Sequence, residues 1–443
     1  MKKFFKSLVI IIIFTIIALL LKKYHIKNYK IHVREDNINV NMQYKGVKGA
    51  KDFTLDNEKN FYIAYKDKIQ LIDKQGKSFD VLKDKNLNIN SIEYYKDNLY
   101  FASNSSVYSY DLHNKKLTEI IKNIPNFGDY NKSLIKINKD FLYITIGAAT
   151  NSGVVGEDNK WMRDYPFGHD ISPRKIILKG NNYNGNTGGF LNYGTKSIQG
   201  QIVPGHFPGN ASIIYYNLKN RKIKNFAWGI RNVKGIDFDS KDKIIVSIGG
   251  MENRGSRPIK GDKDYIYRIN KENWYGWPDY SGGDPVNSPK FKDNKNRRVD
   301  FILDNHPTTN PSAPIYMHKS LGTLGSLFVD KSGIVGEKNS ICFFDNKEKK
   351  LFSLNKKGIV KEKVEFYKEC NITSIKNIFN NIYLLDSNTG NIYNIGYNNN
   401  CGENISNKPI IVFISILIII MIISILKIFI SKLTKEKNKN YLV

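Results

Sequence analysis

The sequence predicts an all-β protein, a six-bladed β-propeller flanked by an N-terminal and a C-terminal transmembrane helix. Three observations support this prediction: a phrase of two strands and a tight turn recurs along the chain, no stretch between the ends keeps helical periodicity, and each end has a long apolar run. We expect a cytoplasmic basic start and signal anchor in residues 1–30, the propeller in residues 37–400, a second span in residues 409–430 and a cytoplasmic basic tail in residues 431–443.

The recurring phrase is typical of a propeller blade. It reads NFYIAYKDKIQLIDKQG from Asn60 and NIYLLDSNTGNIYNIGY from Asn381. Aromatic and β-branched residues alternate with polar ones, and Asn, Asp and Gly mark the turns. About 360 residues would make six blades of roughly 60, and a closed ring of blades leaves few exposed strand edges. A pair of β-sandwiches or a β-helix is the alternative, but neither explains why the phrase spans the whole region.

The charge of the chain does not indicate a nucleic-acid partner. The formal net charge is +27, but only ten of the 68 cationic residues are Arg. Arg is the residue that usually recognises phosphates and base edges. We therefore interpret the excess as a solvated, Lys-rich surface and predict no nucleic-acid binding.

The N-terminal run, Leu8–Leu21, follows Lys2, Lys3 and Lys6. A short basic segment before an apolar run is typical of a secretory signal. No small-residue cleavage pattern follows, because the run continues directly into Lys22. We favour an uncleaved anchor, with a cleaved signal as the alternative.

The C-terminal run, Ile410–Leu426, contains no charged residue. Its length corresponds to roughly 26 Å of helix, close to the hydrocarbon thickness of a bilayer. Lysines such as Lys427 and Lys432 follow it, which predicts a cytoplasmic tail. With two spans in the cell membrane, the propeller is then extracytoplasmic. Lys22 and Lys23, beyond the first span, oppose this orientation.

Residues Phe226–Val286 carry two linked motifs: Gly229–Gly235 reads GIRNVKG, and Trp274–Pro278 reads WYGWP. In this combination the chain resembles the glucose/sorbosone dehydrogenase family of six-bladed β-propellers. A weaker likeness extends from about Phe127 to Gly396.

The resemblance implies an enzyme that oxidises a sugar hydroxyl with pyrroloquinoline quinone (PQQ) and Ca²⁺, and a sugar or cell-surface glycan as partner. Carried over by position, Arg231 and Asn232 would contact the cofactor, and Lys347 would hold one of its carboxylates. The carbonyl oxygens of Gly250 and Met251 would bind Ca²⁺.

The chain departs from the family pattern at several of these positions. Tyr130 stands where the family has its catalytic His, and a phenol has an ordinary pKa near ~10. Asp264 begins the pair that replaces an Asp-Glu motif, and the later arginines are replaced by Asn371 and Thr373.

Three residues outside the matched motifs are further candidates. Arg254 and Arg257 would clamp an anion or a sugar, or else form loop salt bridges. His169, beside Asp170 in a long non-repetitive segment, would supply a replacement acid–base pair, or else hydrogen-bond its own turn.

Two functional hypotheses follow. The first is a membrane-anchored, extracytoplasmic propeller whose ancestral reaction is the quinone-dependent oxidation of a sugar. The second is a catalytically lapsed propeller that binds glycan or protein ligands at the cell surface.

Overall fold

The structure is a computed structural model that describes residues 31–397. In this range the backbone forms six antiparallel sheets of four or five strands, together with three two-stranded ladders. The helical turns described are two 3-10 turns, Lys160–Arg163 and Asn184–Asn186. The prediction of an all-β, six-bladed propeller is confirmed.

Each sheet is one blade. Its strands run in chain order from the propeller axis outward, except that the outermost strands of blades V and VI come from the N-terminal segment. The strands of blades I to III are Asp52–Leu55, Phe61–Ala64, Lys68–Ile72 and Ser78–Lys83; Ile89–Tyr95, Asn98–Ser103, Ser106–Asp111 and Lys116–Ile121; Ile135–Asn138, Phe141–Ile146, Ser212–Asn217 and Ile223–Trp228. Those of blades IV to VI are Val233–Phe238, Ile244–Ile248, Tyr265–Ile269 and Tyr316–Met317; Leu324–Asp330, Ser340–Asp345, Lys350–Leu354, Val360–Glu365 and His32–Val33; Ile372–Ile378, Asn381–Asp386, Asn391–Tyr397 and Ile38–Lys45.

The N-terminal strands close the ring. Ile38–Lys45 pairs with Asn391–Tyr397 as the outermost strand of blade VI, and His32–Val33 adds a fifth strand to blade V. Arg34, between them, contacts Glu362 at 2.5 Å and Glu365 at 2.6 Å. The segment before blade I therefore holds the last two blades together.

Tight hairpins connect the strands within a blade. Lys96 and Asp97 both have positive φ, 47° and 58°, as do Phe379 and Asn380 at 52° and 61°. Two consecutive residues with positive φ are the signature of a two-residue type I′ turn, whose twist matches that of the flanking strands.

Apolar side chains pack between neighbouring blades. Phe61 of blade I and Tyr383 of blade VI, for example, make an edge-to-face contact with ring centroids 5.1 Å apart. The axis is polar: Lys376 of blade VI lies 3.1 Å from Asp52 of blade I and 2.9 Å from Glu93 of blade II.

Long insertions in blades III and IV build a second layer on the propeller. One joins the second and third strands of blade III and contains the ladders Ile176–Ile177 with Ile202–Val203 and Asn182–Tyr183 with Thr187–Gly188. The other follows Tyr265–Ile269 and contains the small hairpin of Tyr280–Ser281 with Asp284–Pro285. The insertions share one apolar core around Trp274, Trp277, Phe291, Ile302 and Leu303.

No helix within residues 31–397 is long and apolar enough to cross a bilayer. The two predicted spans, in residues 1–30 and 409–430, and the predicted tail in residues 431–443 lie outside the described part of the chain. The membrane anchoring remains a prediction.

Candidate functional site

The two sequence motifs contact each other at the start of blade IV. Gly229 has a φ of 72°, and a Cβ there would lie 2.4 Å from the indole of Trp274. The backbone amides of Tyr275 and Trp277 donate hydrogen bonds to the carbonyls of Trp228 (2.8 Å) and Gly229 (3.0 Å). The glycine therefore allows the second motif to dock, and this docking fixes the turn that carries Arg231.

Arg231 is buried, with 4% of its surface exposed. Its Nε and Nη2 donate to the carbonyl of Asn151 (2.8 Å) and to Oδ1 of Asn151 (2.7 Å), and Nη1 donates to the carbonyl of Gly249 (3.1 Å). Nη2 also contacts the hydroxyl of Tyr130. Four of the five N–H donors of a guanidinium are thus engaged within the protein.

Tyr130 lies between two arginines and a carboxylate. The guanidinium of Arg231 lies over its ring, and Nη2 of Arg254 donates to its hydroxyl at 2.8 Å. The hydroxyl in turn donates to Oε2 of Glu252 at 3.4 Å. The one proton and both lone pairs of the phenol therefore have partners.

The electrostatics of this cluster oppose a role for Tyr130 as general base. Burial raises the pKa of Tyr130 above its ordinary value, although Arg231 and Arg254 pull it down. Burial also opposes ionisation of Glu252, but the same two arginines outweigh it and lower the pKa of that carboxyl. The cluster at neutral pH thus contains a neutral phenol beside a carboxylate.

Arg254 is paired with three carboxylates. Its guanidinium lies 2.5 Å from Asp158 and 2.8 Å from Asp129, and it also contacts Glu252. Asp129 in turn accepts from the indole N–H of Trp161 at 2.9 Å. Arg254 therefore forms salt bridges within the loops, and its guanidinium is not free to bind a ligand.

Asn232 and Lys234 are the more open part of the same turn. A Cβ at Gly249 would lie 3.2 Å from Cε of Lys234 and 3.5 Å from Nδ2 of Asn232. Neither side chain has a hydrogen-bond or ion-pair partner within residues 31–397. Burial by the surrounding protein lowers the pKa of Lys234, and the charge of Arg231 adds to this effect.

The Gly250–Met251 turn is the position at which the resemblance implies Ca²⁺. The amide of Gly250 donates to Asp264 (3.1 Å), and that of Met251 donates to Asp262 (2.6 Å). Asp264 is fully buried and also accepts from the amide of Leu324 at 2.9 Å. Asp264 therefore links blades IV and V and is not exposed to a ligand. In the described residues no group of three or more His, Cys, Asp or Glu side chains is placed to share a metal ion.

Arg257 is the other arginine of this segment, and it is not part of the Tyr130 cluster. It is 2% exposed and forms a buried ion pair with Asp279 at 2.8 Å. It also donates to the carbonyls of Ser152 and Pro278, each at 3.0 Å. The backbone at Asn151 and Ser152 thus lies between Arg231 and Arg257.

His169 lies on the insertion of blade III, where it lines a cavity with His206, apart from Tyr130. Its Nδ1 contacts the carbonyl of Asp170 at 2.9 Å. The carboxylate of Asp170 is buried and accepts instead from the amide of Ala149 (2.6 Å) and the hydroxyl of Thr150 (2.5 Å). The two side chains do not form the acid–base pair that their adjacency suggested.

Lys347 lies in an exposed turn of blade V, where its backbone amide donates to Asp345 at 2.7 Å. The structure thus brings together Tyr130, Arg231 and Arg254 of the predicted site residues. It places His169, Arg257 and Asp264 in other environments.

The partners that hold the cluster together were not predictable from the sequence. Asn151 binds Arg231 and also accepts from the amide of Glu252 at 2.8 Å. Glu252 follows the predicted metal turn directly, yet nothing in a loop sequence indicates that its carboxylate turns towards Tyr130. Such contacts arise where the insertion of blade III packs against the loop that joins Ile244–Ile248 to Tyr265–Ile269 in blade IV.

Solved structures share this architecture. The chain is similar to the PQQ domain of a pyranose dehydrogenase from Coprinopsis cinerea, with 12% identity and a TM-score of 0.55, over 83% of this chain and 97% of that one. It is equally similar to a calcium structure of a carbohydrate-active enzyme of family AA12 from Trichoderma reesei, with 11% identity, a TM-score of 0.55 and the same coverage. No family model matches the sequence, and no curated protein matches it significantly. In fold, the chain is a six-bladed β-propeller similar to these two structures, which agrees with the resemblance that its two motifs carry.

Proposed function

We propose that this chain is a sugar-dehydrogenase-type propeller that has lost the oxidation chemistry and binds carbohydrate at the cell surface. The observation that supports the loss is the arrangement around Tyr130. A general base needs a free lone pair within reach of the substrate proton. The hydroxyl of Tyr130 contacts two guanidiniums and a carboxylate instead, and its pKa is raised by burial.

The same cluster does not fit PQQ as it stands. The cofactor carries carboxylates, and these need cationic or N–H partners that are not already engaged. Arg231 uses its guanidinium on Asn151, Gly249 and Tyr130. Arg254 uses its guanidinium on three carboxylates. The cavity bordered by Arg231, Gly250 and Met251 has a volume of only about 20 Å³, which is room for one water molecule.

A Ca²⁺ site at Gly250 and Met251 would also be incomplete. Ca²⁺ takes about six to eight oxygen ligands, and this turn offers two carbonyl oxygens. The nearest carboxylates, Asp262 and Asp264, are engaged by the amides of the same turn.

The second candidate is an active quinone-dependent sugar dehydrogenase. The unpaired ammonium of Lys234 favours it. Burial and the charge of Arg231 lower the pKa of Lys234, and an anionic ligand would stabilise its charged form. The fold of the pyranose dehydrogenase PQQ domain is consistent with either candidate and supports a sugar as the ligand class.

Titration of the full-length chain with PQQ and Ca²⁺, combined with dye reduction on a panel of aldoses, distinguishes the two candidates. We expect no change in quinone absorbance and no turnover. A control variant, Tyr130→His, restores the residue type of the family's base, and we expect it to remain inactive because Arg231 and Arg254 stay engaged. Quinone-dependent turnover by the wild type would overturn the proposal, and its loss in Lys234→Ala would assign the quinone to the surroundings of Lys234.

The anchoring at the cell membrane belongs to the same proposal and is supported by the two apolar runs, Leu8–Leu21 and Ile410–Leu426. Protease added to intact cells should digest the propeller. Digestion only after the cells are permeabilised would reverse the proposed orientation.

A further inference from the structure

A polar groove separates the insertion of blade III from that of blade IV. Its volume is about 420 Å³, within the range of about 300–1,000 Å³ that is common for small-molecule sites. Residues 181–184 line one side, residues 293–294 and 297–300 line the other, and residues 256–258 form the floor. The backbone at Asn151 and Ser152, which binds Arg231 on one side and Arg257 on the other, separates this groove from the Tyr130 cluster.

The groove is rigidly built. Arg257, in its floor, donates from Nη2 to Asp279 and to the carbonyl of Asp300, both at 2.8 Å. The hydroxyl of Tyr183 donates to the same carbonyl at 3.1 Å. The side-chain amide of Asn181 (Nδ2) donates to the carbonyl of Phe301 at 2.9 Å. Both walls and the floor are therefore cross-linked by hydrogen bonds, so that little ordering would be required of the protein when a ligand binds.

Several polar groups of the groove have no partner. Three side-chain groups make no hydrogen bond or ion pair with any described side chain: the guanidinium of Arg298, the carboxylate of Asp300 and the side-chain amide of Asn184. Ser256 is 8% exposed, and its hydroxyl likewise has no partner among residues 31–397. A hydroxyl that has no partner within the protein can donate to and accept from the hydroxyls of a ligand.

The charges of the groove are balanced. The Arg257 charge is neutralised by Asp279, and Arg297 lies 2.8 Å from Asp293. Arg298 and Asp300 then leave one free charge of each sign. A phosphate or a nucleic acid would meet the carboxylate of Asp300, and a cation would meet Arg298. A neutral ligand with many hydroxyls can use both, since a guanidinium donates to neighbouring hydroxyls and a carboxylate accepts from them.

We propose that this groove binds a neutral oligosaccharide. Arg298 and Asp300 would each engage hydroxyls of one sugar ring, while Ser256 and Asn184 would bind the same or the next ring. The proposal rests on the carbohydrate binding proposed above and assigns that binding to the groove between the insertions, away from the Tyr130 cluster.

The test uses the full-length chain in a detergent that is not a glycoside, and four neutral trisaccharides as probes: maltotriose, cellotriose, xylotriose and triacetylchitotriose. Calorimetry should detect binding of at least one of them. We expect Arg298→Ala and Asp300→Asn each to weaken that binding at least tenfold. Lys295→Ala is the control, because Lys295 is exposed in the same segment of the chain but does not line the groove.

The outcomes separate the groove from the proposed function. Unchanged melting temperatures show that the variants are folded, since Arg298 and Asp300 are exposed. Binding that is insensitive to both groove variants but lost in Lys234→Ala would overturn the groove and leave carbohydrate binding intact. Quinone-dependent turnover would contradict the proposed loss of oxidation chemistry but would not contradict oligosaccharide binding in the groove. No binding of any probe at millimolar concentration would overturn the groove.

Discussion

The guanidinium of Arg231 lies over the ring of Tyr130, with Cζ 4.1 Å from the ring centroid. By the sequence resemblance, Arg231 belongs to the first motif, and Tyr130 is predicted to stand at the position of the family's catalytic His. Tyr130, at the predicted position of the base, is therefore held in place by Arg231, which the resemblance assigns to the cofactor. This relationship, a cation–π contact combined with hydrogen bonds, stabilises the junction of blades III and IV.

Tyr130→Phe should destabilise the protein while keeping the aromatic ring under Arg231. The variant removes a hydroxyl that accepts from Arg254 and donates to Glu252. Hydrogen bonds to charged groups contribute about 1.5–3 kcal/mol, so we expect a loss of about 2 kcal/mol in the free energy of unfolding, measured in urea. Tyr193→Phe, which removes an exposed hydroxyl 3.0 Å from Glu157, is the control and should cost less. Equal losses would show that the Tyr130 hydroxyl is not specially engaged.

Asp279→Asn should be among the most destabilising single substitutions in the insertions. Asp279 is fully buried and pairs with Arg257. Removing one partner of a buried ion pair leaves an uncompensated charge, which costs about 3–5 kcal/mol. Asp293→Asn breaks the pair with the exposed Arg297, and such surface pairs contribute about 0–1 kcal/mol. Chemical unfolding should show a clearly larger loss in the free energy of unfolding for Asp279→Asn than for Asp293→Asn. Similar losses would contradict a buried ion pair between Asp279 and Arg257.

Asp170 should make stability fall as the pH rises. Burial raises its pKa to about 7, although Thr150 and the amide of Ala149 oppose the shift. In the unfolded chain an Asp has a pKa of about 3.9. The folded state therefore keeps a proton that the unfolded state releases between about pH 4 and pH 7, and this contribution to stability is lost across that window.

The measurement compares the wild type with Asp170→Asn in urea from pH 4 to pH 8. Because the Asn does not titrate, the wild type should lose stability relative to the variant as the pH rises, by up to about 4 kcal/mol for a shift of roughly three units. Asp164→Asn, at an exposed position of the same insertion, should show no such trend. A pH-independent difference between wild type and Asp170→Asn would contradict the raised pKa.

The propeller was predictable because its signals are local. Alternating strands such as Asn98–Ser103 and turn residues such as Asp97 report directly on a hairpin, and the hairpins repeat. The sequence showed two linked motifs, one that begins with Gly229 and one that begins with Trp274. Only the structure shows that these two residues pack against each other.

The candidate site was less predictable, because its partners are distant in sequence. Arg254 pairs with Asp158 and Asp129, 96 and 125 residues away. Adjacency also misled: His169 and Asp170 are neighbours in the chain, but their side chains bind different groups. Insertions lack the periodicity that reveals which side of the backbone is buried, so pairing within them has to be observed.

Lys376 at the propeller axis should hold the ring closed. Its ammonium lies 3.1 Å from Asp52 and 2.9 Å from Glu93, and it also donates to the carbonyl of Ile92 at 2.5 Å. Lys376→Met keeps the length of the side chain but leaves two buried carboxylates without this cation. We expect a loss of about 3–5 kcal/mol in the free energy of unfolding.

The matched control for the axis is Lys68→Met, which breaks the partly exposed pair with Asp80 at 2.8 Å within a single blade. That variant should lose about 1 kcal/mol or less. Urea unfolding followed by tryptophan fluorescence measures both. If Lys376→Met costs no more than the control, the axial charges do not couple blades VI, I and II, and closure rests on the outer strand Ile38–Lys45 and on apolar packing such as that of Phe61 against Tyr383.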